Sequence, residues 1–454
     1  MGPMTELPRK AAARTARLAA LPLGYAGRQA MGLGKRLGGR NAEAVMTEVQ
    51  QRTAEQLFRT LGELKGGAMK FGQALSVLES ALPEDVAAPY REHLTALQDS
   101  APPMPTATVR EQLTTHLGAD WSERLVWLDG APTAAASIGQ VHRGRWVDHA
   151  VADAGERDVA VKVQYPGAGE ALMSDLRQIA RVARGVAPVF PGIDIKPLVA
   201  ELQARAAEEL DYHLEAEAQA AYAEAFADHP DIVVPGVVAV GNEVLITEWM
   251  DSAHSLAHVI REGTQAERDH YGELFVRFLF EGPRLTGMLH ADPHPGNFRV
   301  IPAADGGLGR LGVLDFGAVA RLSDGQLPEA MGRLIRIAID SDEESLVAGL
   351  RAEGFIKDRI EVDPAMLLAY LAPFVEPAAQ DRFTFTREWM REQFERINDP
   401  RAETFTLATK LNLPTSYLLI HRTWLGALGL LSQLGGTVPF REILEESLPG
   451  FAEG

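Results

Sequence analysis

The chain has 454 residues, 46% of them hydrophobic, so it can bury large cores and is expected to form two lobes or domains with an extension. Its formal net charge of −18 argues against general nucleic-acid binding, because neutralising phosphates requires a concentrated basic surface. The lack of cysteine excludes disulfides, thiolate zinc sites and cysteine nucleophiles, and it fits an intracellular protein.

Residues 1–42 form a basic arm whose charge is opposite to that of the rest of the chain. Basic residues recur from Arg9 to Arg40, and the only acid in the arm is Glu6. Such an arm is either a mobile, solvated tail or a segment that contacts anionic lipid headgroups. Both alternatives stay open at this point.

No stretch of the sequence reaches the roughly 18 uninterrupted apolar residues that a membrane span requires. The nearest one, residues 417–434, contains His421 and Arg422 and predicts a buried helix. We therefore expect a cytoplasmic protein without a transmembrane span, at most peripheral at the inner face of the membrane.

Three further regions follow the arm. Residues 43–105 are rich in helix formers and end in a proline cluster that cannot continue a helix, so they predict a helical extension. Residues 106–250 contain short β-type runs around a long helix predicted at about 197–227, which indicates a small antiparallel sheet. The runs are "LVWL", "VAVKV", "IVVPGVVAV" and "EVLITEWM". Residues 251–454 are mostly helical, apart from one loop and the strand "LGVLDFG".

The stretch "PTAAASIGQV" matches the glycine-rich loop pattern G-x-G-x-x-G-x-V with two glycines replaced by alanine. Such a loop brings backbone N–H groups against nucleotide phosphates, and alanine makes the loop stiffer. An ordinary alanine-rich turn is the alternative. The predicted nucleotide-binding residues here are Ala134, Ala135, Ala136, Ser137, Gly139 and Val141.

Lys162 lies in an apolar strand, where an ammonium group is costly to bury without a partner. It should therefore reach a phosphate, a carboxylate or both, unless it is an edge-strand lysine that prevents aggregation. In the acidic helix "EELDYHLEAEA", Asp211 and Glu215 share a face and Glu209 lies on the other side, so they cannot all reach one lysine. Glu248, in the run "ITEWM", is added to the predicted nucleotide-binding set.

The segment "GMLHADPHPGN" places His290, Asp292 and His294 in alternation, which first indicates a metal site. Pro293 and Pro295 break the strand geometry that would put the three on one face, so an ordered loop is the better interpretation. We expect the histidines to structure this loop, with His290 bonded to a backbone carbonyl.

An Asp-x4-Asn loop followed by a strand and Asp-Phe-Gly is typical of phosphoryl transfer. Asp315 and the amide oxygen of Asn297 are hard ligands of the kind Mg²⁺ prefers. Asp292 would orient a hydroxyl group or a water, and Phe316 would pack to set the position of Asp315.

With these motifs in order, the chain resembles the UbiB/ADCK family of atypical protein-kinase-like proteins, also called the AarF family. The six motifs are "KFGQ" at residues 70–73, "AAAS" at 134–137, "VAVK" ending at Lys162, "ELD" at 209–211, "HADPHPGN" at 290–297 and "DFG" at 315–317.

The resemblance implies an α+β, two-lobed protein-kinase-like fold with a small β-containing N-lobe, a helical C-lobe and an N-terminal helical K-x-G-Q extension that packs over the nucleotide cleft. It implies ATP and Mg²⁺ as cofactors. The implied roles are phosphate contact for Lys162, pairing of Lys162 with Glu209, catalysis by Asp292, Mg²⁺ binding by Asn297 and Asp315, and insertion of Lys70 and Gln73 into the active site.

The function implied is binding of Mg-ATP with hydrolysis or transfer of the γ-phosphate, in support of isoprenoid quinone or other lipid metabolism at a membrane surface. The implied partners are the nucleotide, an anionic or isoprenoid-lipid surface and lipid-biosynthesis enzymes. Two alternatives remain: a small-molecule phosphotransferase of the aminoglycoside or choline kinase type, which also uses an H-x-D-x4-N loop, and a non-catalytic nucleotide-sensing scaffold.

Overall fold

The computed structural model describes the chain from residue 103 onward, with several gaps. The described residues are 103–135, 138–148, 155–170, 173, 177, 207–208, 210–304, 306–398, 407 and 411–452. Among the expectations above, those for the basic arm, for residues 43–102 of the extension, and for Lys70, Gln73, Ala136, Ser137 and Glu209 lie outside the described residues.

Helices and strands alternate in the first half of the described chain, and helices dominate the second half. Up to residue 255 the elements are α1 (Thr106–Leu117), α2 (Trp121–Arg124), β1 (Leu125–Leu128), β2 (Ala134–Ala135), β3 (Gly139–Trp146), β4 (Arg157–Gln164), α3 (Tyr212–Ala225), β5 (Ile232–Val233), β6 (Val237–Gly241), β7 (Val244–Glu248) and β8 (His254–Ser255). After it they are α4 (Leu256–Glu262), α5 (Gln265–Thr286), β9 (Met288–His290), β10 (Phe298–Ile301), β11 (Arg310–Val313), β12 (Val319–Arg321), α6 (Glu329–Ile339), α7 (Glu343–Ala352), α8 (Pro364–Val375), β13 (Phe383–Thr384), α9 (Arg387–Asn398), α10 (Thr415–Leu434), β14 (Thr437–Val438) and α11 (Phe440–Ser447).

The N-lobe is built on an antiparallel sheet with the order β1-β3-β4-β7-β6, to which β2 adds by pairing with β3. Successive side chains of a strand point to opposite faces. Val159, Val161 and Val163 of β4 therefore share one face, where they pack with α1 in a buried cluster. Lys162 lies on the other face, which α3 covers through a cluster containing Tyr212. One face of the sheet thus packs against the apolar core with α1, and the other carries Lys162 beneath α3.

The structure excludes one alternative for this sheet and corrects one expectation about it. Strand β4 lies between β3 and β7, so Lys162 is on an interior strand and the edge-strand explanation for it does not hold. The run "IVVPGVVAV" does not form one strand of the sheet. Its first part, β5, pairs with β11 in a second sheet of order β5-β11-β10-β8, because Pro235 and Gly236 separate it from β6.

The structure interrupts the predicted long helix: residues 207 and 208 are helical, Leu210 lies in a turn, and α3 begins at Tyr212. The start expected near residue 197 lies outside the described residues. Asp211 is the N-cap, and its Oδ1 accepts hydrogen bonds from the backbone N–H groups of His213 (3.0 Å) and Leu214 (3.4 Å). A carboxylate that satisfies these otherwise unpaired donors fixes the first turn. Asp211 is therefore used as a cap and not as a partner on the face of Glu215, which lies in the first turn of α3.

The C-lobe is organised around α5, a 22-residue helix. It begins with a capping box in which the Thr264 N–H donates to Glu267 (2.7 Å), and it ends at Gly287, whose φ of 70° suits glycine. Phe275 and Phe278 of α5 are fully buried in the large core of this lobe. The helix predicted at 417–434 is present as α10, and its C-terminal half is buried in the same core. Among the described residues, no helix combines the length and apolar character needed to cross a bilayer.

Candidate active site

The centre of the candidate site is an ion pair between the two layers of the N-lobe. The Nζ of Lys162 donates to both carboxylate oxygens of Glu215, at 2.7 and 3.0 Å. The Glu215 side chain is only 2% exposed and that of Lys162 17%, so this is a buried pair. From the C-lobe, Asp315 brings an oxygen to 3.7 Å from the same Nζ. Lys162 thus links both lobes.

The partner expected for Lys162 was Glu209, and the structure gives Glu215 in that place. Because Asp211 caps α3, the helix begins late enough for Glu215 to occupy its first turn, facing β4. Glu209 lies outside the described residues, so its role stays a prediction. The signal that could have identified Glu215 is the cap itself: an aspartate before Tyr-His-Leu-Glu marks a helix start.

The charge state of Lys162 follows from its surroundings. Burial favours the neutral amine and acts to lower the pKa, but the Asp315 and Glu215 carboxylates outweigh it and hold the pKa of Lys162 well above its usual value. The face of Tyr212 adds a cation–π contact, with Nζ 5.2 Å from the ring centre. Lys162 is therefore an ammonium at neutral pH.

The loop predicted to follow His290 is an ordered loop that ends in a short 3₁₀ turn at Pro295–Asn297. His294 caps this turn, its Nδ1 accepting from the Gly296 N–H (3.2 Å). The Nδ2 of Asn297 donates to the Asp292 carboxylate (3.0 Å) and to its backbone carbonyl (3.2 Å). This orientation leaves the amide oxygen of Asn297 as the atom available to a cation.

His290 is a structural residue, as predicted. It is 1% exposed, and its Nε2–H donates to the backbone carbonyl of Asp315 at 2.7 Å. The ring of Phe316 packs edge-on against His290, with centroids 5.4 Å apart, and against Tyr222 at 4.9 Å. Tyr222 in turn donates from its hydroxyl to the Met288 carbonyl (2.7 Å). These contacts fix the backbone that carries Asp315.

Tyr222 is a residue that the sequence reasoning missed. It is fully buried in α3, and burial raises the pKa of its hydroxyl above the normal tyrosine value. Tyr222, one of two tyrosines in an alanine-rich helix, belongs to no motif, so only the packing of α3 against Phe316 reveals its role.

Ala134, Ala135, Gly139 and Val141 of the alanine loop lie among the described residues. Ala134 pairs with Val141 across the β2–β3 ladder, and Val141 pairs with Lys162 in the next ladder, which puts both close to the ion pair. Gly139 has a different reason to be glycine than contact with phosphates: a Cβ there would lie 2.2 Å from the carbonyl oxygen of Val163. Because glycine has no Cβ, β3 can lie close to β4 at this position.

The structure does not place the side chain of Glu248 beside Lys162. Glu248 pairs with Val159 in the β4–β7 ladder, which puts its side chain on the opposite face of the sheet. There it accepts from Arg157 (3.2 Å) and from the Gly236 N–H (3.0 Å). A role in nucleotide binding stays a prediction for Glu248.

Residues 96–349, more than half of the chain, match the ABC1 atypical kinase-like domain. The chain belongs to this family. The UbiB/ADCK resemblance is thereby confirmed. The ABC1-family chain is 29% identical over 401 residues to the mitochondrial atypical kinase coq-8 of Caenorhabditis elegans, covering 85% of this chain and 51% of that protein. It is 30% identical over 322 residues to the chloroplastic protein ACTIVITY OF BC1 COMPLEX KINASE 1 of Arabidopsis thaliana, covering 70% and 45%.

The ABC1-family chain thus spans about half the length of the curated relatives it matches. Among solved structures, the complex of Rv3197 with erythromycin from Mycobacterium tuberculosis is similar with a TM-score of 0.68 and 40% identity, covering 91% of this chain and 100% of that one. The α+β, two-lobed protein-kinase-like fold is confirmed.

The donor atoms of the ABC1-family site fit Mg²⁺. Mg²⁺ usually takes one or two protein oxygens and keeps waters and substrate phosphates for its other positions. The Asp315 carboxylate and the Asn297 amide oxygen are such ligands. Within the described ranges no cluster of three or more His, Cys, Asp or Glu side chains could hold a metal by itself.

Proposed function

We propose that the ABC1-family chain binds Mg-ATP between its lobes and hydrolyses it or transfers its γ-phosphate. The observation that supports this most directly is Lys162, an ammonium held on Glu215 and within 3.7 Å of Asp315. A fixed cation beside a divalent-ion ligand is the arrangement that phosphoryl transfer requires. Lys162 would contact the α- and β-phosphates, and Glu215 would position it.

The remaining roles follow from the loop geometry. Asp315 and Asn297 would hold Mg²⁺, which would neutralise charge on the phosphates. In hydrolysis, the bond between the γ-phosphorus and the bridging oxygen breaks and ADP leaves with that oxygen. A water oxygen bonds to the phosphorus, and its proton passes to Asp292 or to the released phosphate. Asn297 holds the Asp292 carboxylate in place for this step.

The cellular context belongs to the same proposal. We place the protein in the cytoplasm, peripheral at the inner face of the membrane, where the basic arm at residues 1–42 would contact anionic lipid. By resemblance, its activity would support isoprenoid quinone or other lipid metabolism, with lipid-biosynthesis enzymes as partners. By the same resemblance, the alanine loop would favour hydrolysis over phosphorylation of other proteins.

The test is phosphate release from ATP by the full chain, with and without Mg²⁺ and with and without vesicles of phosphatidylglycerol. We expect Mg²⁺-dependent release that the vesicles stimulate and that Asp292→Asn lowers by about 100-fold or more. Asp324→Asn, in an exposed turn, is the matched control and should leave release unchanged.

Two results would change the proposal. Measurable Mg-ATP binding without phosphate release under any condition would favour the nucleotide-sensing scaffold. Phosphorylation of an aminoglycoside or of choline would favour the small-molecule phosphotransferase, although membership of the ABC1 family speaks against it.

A second candidate function is binding of a macrolide. The observation that favours it is the similarity to Rv3197, which was solved in complex with erythromycin and is 40% identical to this chain. Calorimetric titration of the full chain with erythromycin tests it, and the absence of saturable heat would remove it.

A further inference from the structure

Strand β4 carries a second buried polar side chain on the face of Lys162. Side chains two residues apart in a strand point to the same face, so Gln164 lies on the side of the sheet that α3 covers. Gln164 is only 3% exposed. A buried amide costs free energy unless it is hydrogen-bonded, so its partner indicates why a glutamine stands in this strand.

The amide of Gln164 holds the chain just before α3. Its Nε2 donates to the carbonyl oxygen of Leu210 at 2.9 Å. Leu210 directly precedes Asp211, the N-cap of α3. One hydrogen bond therefore ties the strand that carries the ammonium of the candidate site to the start of the helix that carries its carboxylate partner.

The backbone of Gln164 is fixed in the sheet. Its N–H donates to the Glu243 carbonyl (3.0 Å), and it pairs with Gly139 in the β3–β4 ladder. Gln164 lies roughly 7 Å along β4 from Lys162, because each strand residue advances the chain by about 3.3 Å. The position of the start of α3 is thus set relative to Lys162 itself.

The orientation of Glu215 depends on this start. Glu215 lies in the first turn of α3, and its N–H donates to the Asp211 carbonyl (3.2 Å). Each residue of a helix turns the side-chain direction by about 100°, so a shift of the start by one residue would carry the carboxylate away from Lys162. A second hydrogen bond at the first turn, between His213 and Asn242 (3.2 Å), is exposed.

The second half of α3 is held independently of Gln164. Tyr222 and Phe226 are buried in the core of the C-lobe, whereas Tyr212 and Ala216 pack on the N-lobe sheet. Loss of the Gln164 hydrogen bond should therefore loosen the first turn of α3 without unfolding the helix.

We propose that Gln164 is a positioning residue for phosphoryl transfer: by fixing the start of α3, it presents Glu215 to Lys162 in the orientation that phosphate contact requires. This inference rests on the function proposed above. Its physical basis is preorganisation, since a charged group that is already held in place costs no reorganisation during the reaction.

The first variant is Gln164→Leu in the full chain, which keeps a side chain of similar size but cannot donate. We expect kcat for Mg²⁺-dependent phosphate release to fall about tenfold, the upper end of what one neutral hydrogen bond supplies. KM for ATP should change by less than about threefold, because Lys162 remains an ammonium beside the phosphates.

Gln393→Leu is the matched control. Gln393 is another buried glutamine, 6% exposed, on α9 of the C-lobe, where its Nε2 donates to Glu376 (3.3 Å). Its loss should lower the thermal unfolding temperature about as much as Gln164→Leu does and leave kcat unchanged. The comparison separates a general loss of stability from a loss of position.

A double variant tests whether Gln164 acts through Glu215. Residues that act through one another have non-additive effects. In the Glu215→Gln background, adding Gln164→Leu should lower kcat less than about twofold further. A tenfold loss in both backgrounds would overturn the proposal, because Gln164 would then act independently of Glu215.

Gln164→Glu gives a second, pH-dependent test. The introduced carboxylate cannot donate to the Leu210 carbonyl, but the protonated carboxyl can, and burial raises the pKa of a carboxyl above its usual value of about 4.3. Relative to the wild type, kcat of Gln164→Glu should therefore recover as the pH falls from about 8 to about 5.5. The ratio for Gln164→Leu should stay constant, and constant ratios for both variants would contradict the proposal.

Amide hydrogen exchange provides a readout that needs no activity. In Gln164→Leu, exchange in the first turn of α3 should be about tenfold faster than in the wild type, and in Gln393→Leu it should be unchanged. Unchanged exchange in Gln164→Leu would overturn the anchoring of α3. Faster exchange with normal phosphate release would overturn the positioning role alone, whereas no release by the wild type would overturn the proposed function.

Discussion

The cleft that holds the candidate active site and the apolar cavity of about 330 Å³ in the C-lobe bury their side chains in different ways. In the cleft, Lys162, Glu215 and Asp315 are charged, and each is held close to an opposite charge. In the cavity, the wall is apolar and its buried histidine, His421, has a lowered pKa. The cleft is suited to phosphates and a cation, the cavity to neutral ligands.

The two regions come within one residue of each other at β9. Leu289 lines the cavity, and the next residue, His290, donates to the Asp315 carbonyl (2.7 Å). The difference between them shows how function is encoded in this chain. A few charged residues form the cleft, and each needs its particular side chain. The cavity is lined by many apolar side chains.

The largest expected effect comes from removing the charge of Glu215. In Glu215→Gln, Lys162 keeps its burial but loses the carboxylate at 2.7 Å, so the free energy of unfolding should fall by about 3 kcal/mol. Lys162 would also lose its position, and ATP hydrolysis should fall by about 100-fold. Chemical denaturation and phosphate-release assays measure the two effects.

Two variants make this result specific. Glu217 lies on the same helix as Glu215, α3, and forms an exposed ion pair with Arg321 of β12 (3.0 Å). Glu217→Gln removes this pair and should change both the free energy of unfolding and the rate of hydrolysis little. Glu209→Gln tests the pairing expected from sequence. If Glu209→Gln abolished hydrolysis while Glu215→Gln were silent, the assignment of Glu215 as the positioning residue would be wrong.

The second-largest expected effect concerns the close contact between β3 and β4 at Gly139. Gly139→Ala would push a Cβ to 2.2 Å from the Val163 carbonyl oxygen, so β3 and β4 would have to separate. We expect a loss of about 2–3 kcal/mol in the free energy of unfolding, measured by chemical denaturation. Gly155→Ala, whose Cβ would meet no atom within 4 Å, is the control. Equal stability of the two variants would show that the strands tolerate the methyl group.

The motifs and the family resemblance they carry predicted the fold, and the structure brings Lys162 near Asp315 and Asp292 near Asn297. Lys162, Asp292, Asn297 and Asp315 belong to motifs whose residue types are dictated by phosphate and cation chemistry, so their order along the chain carries the information. The carbonyl bond of His290 could also be predicted, because the prolines of its loop excluded a metal-binding strand.

Other features depend on information that the motifs do not carry. Which acid reaches Lys162 depends on where α3 begins, and that is decided by the Asp211 cap rather than by helix periodicity. The placement of β5 in a second sheet depends on a strand more than seventy residues later, β11. The cavity depends on six helices packing incompletely, and no local pattern predicts incomplete packing.

The smallest expected effect tests the neutrality of the cavity. Burial lowers the pKa of His421 below the usual value of 6.5, so the folded protein binds this proton less readily than the unfolded chain does. Its contribution to stability is therefore fully present above about pH 6.5 and is lost as the pH falls through the lowered folded pKa. Between pH 7 and pH 5 the wild type should lose about 1–3 °C more in Tm than His421→Leu, which cannot take up the proton. His213→Leu, at an exposed position on α3, should follow the wild type. If His421→Leu also followed it, His421 would be accepting its proton without penalty, and the cavity would admit charge as the cleft does.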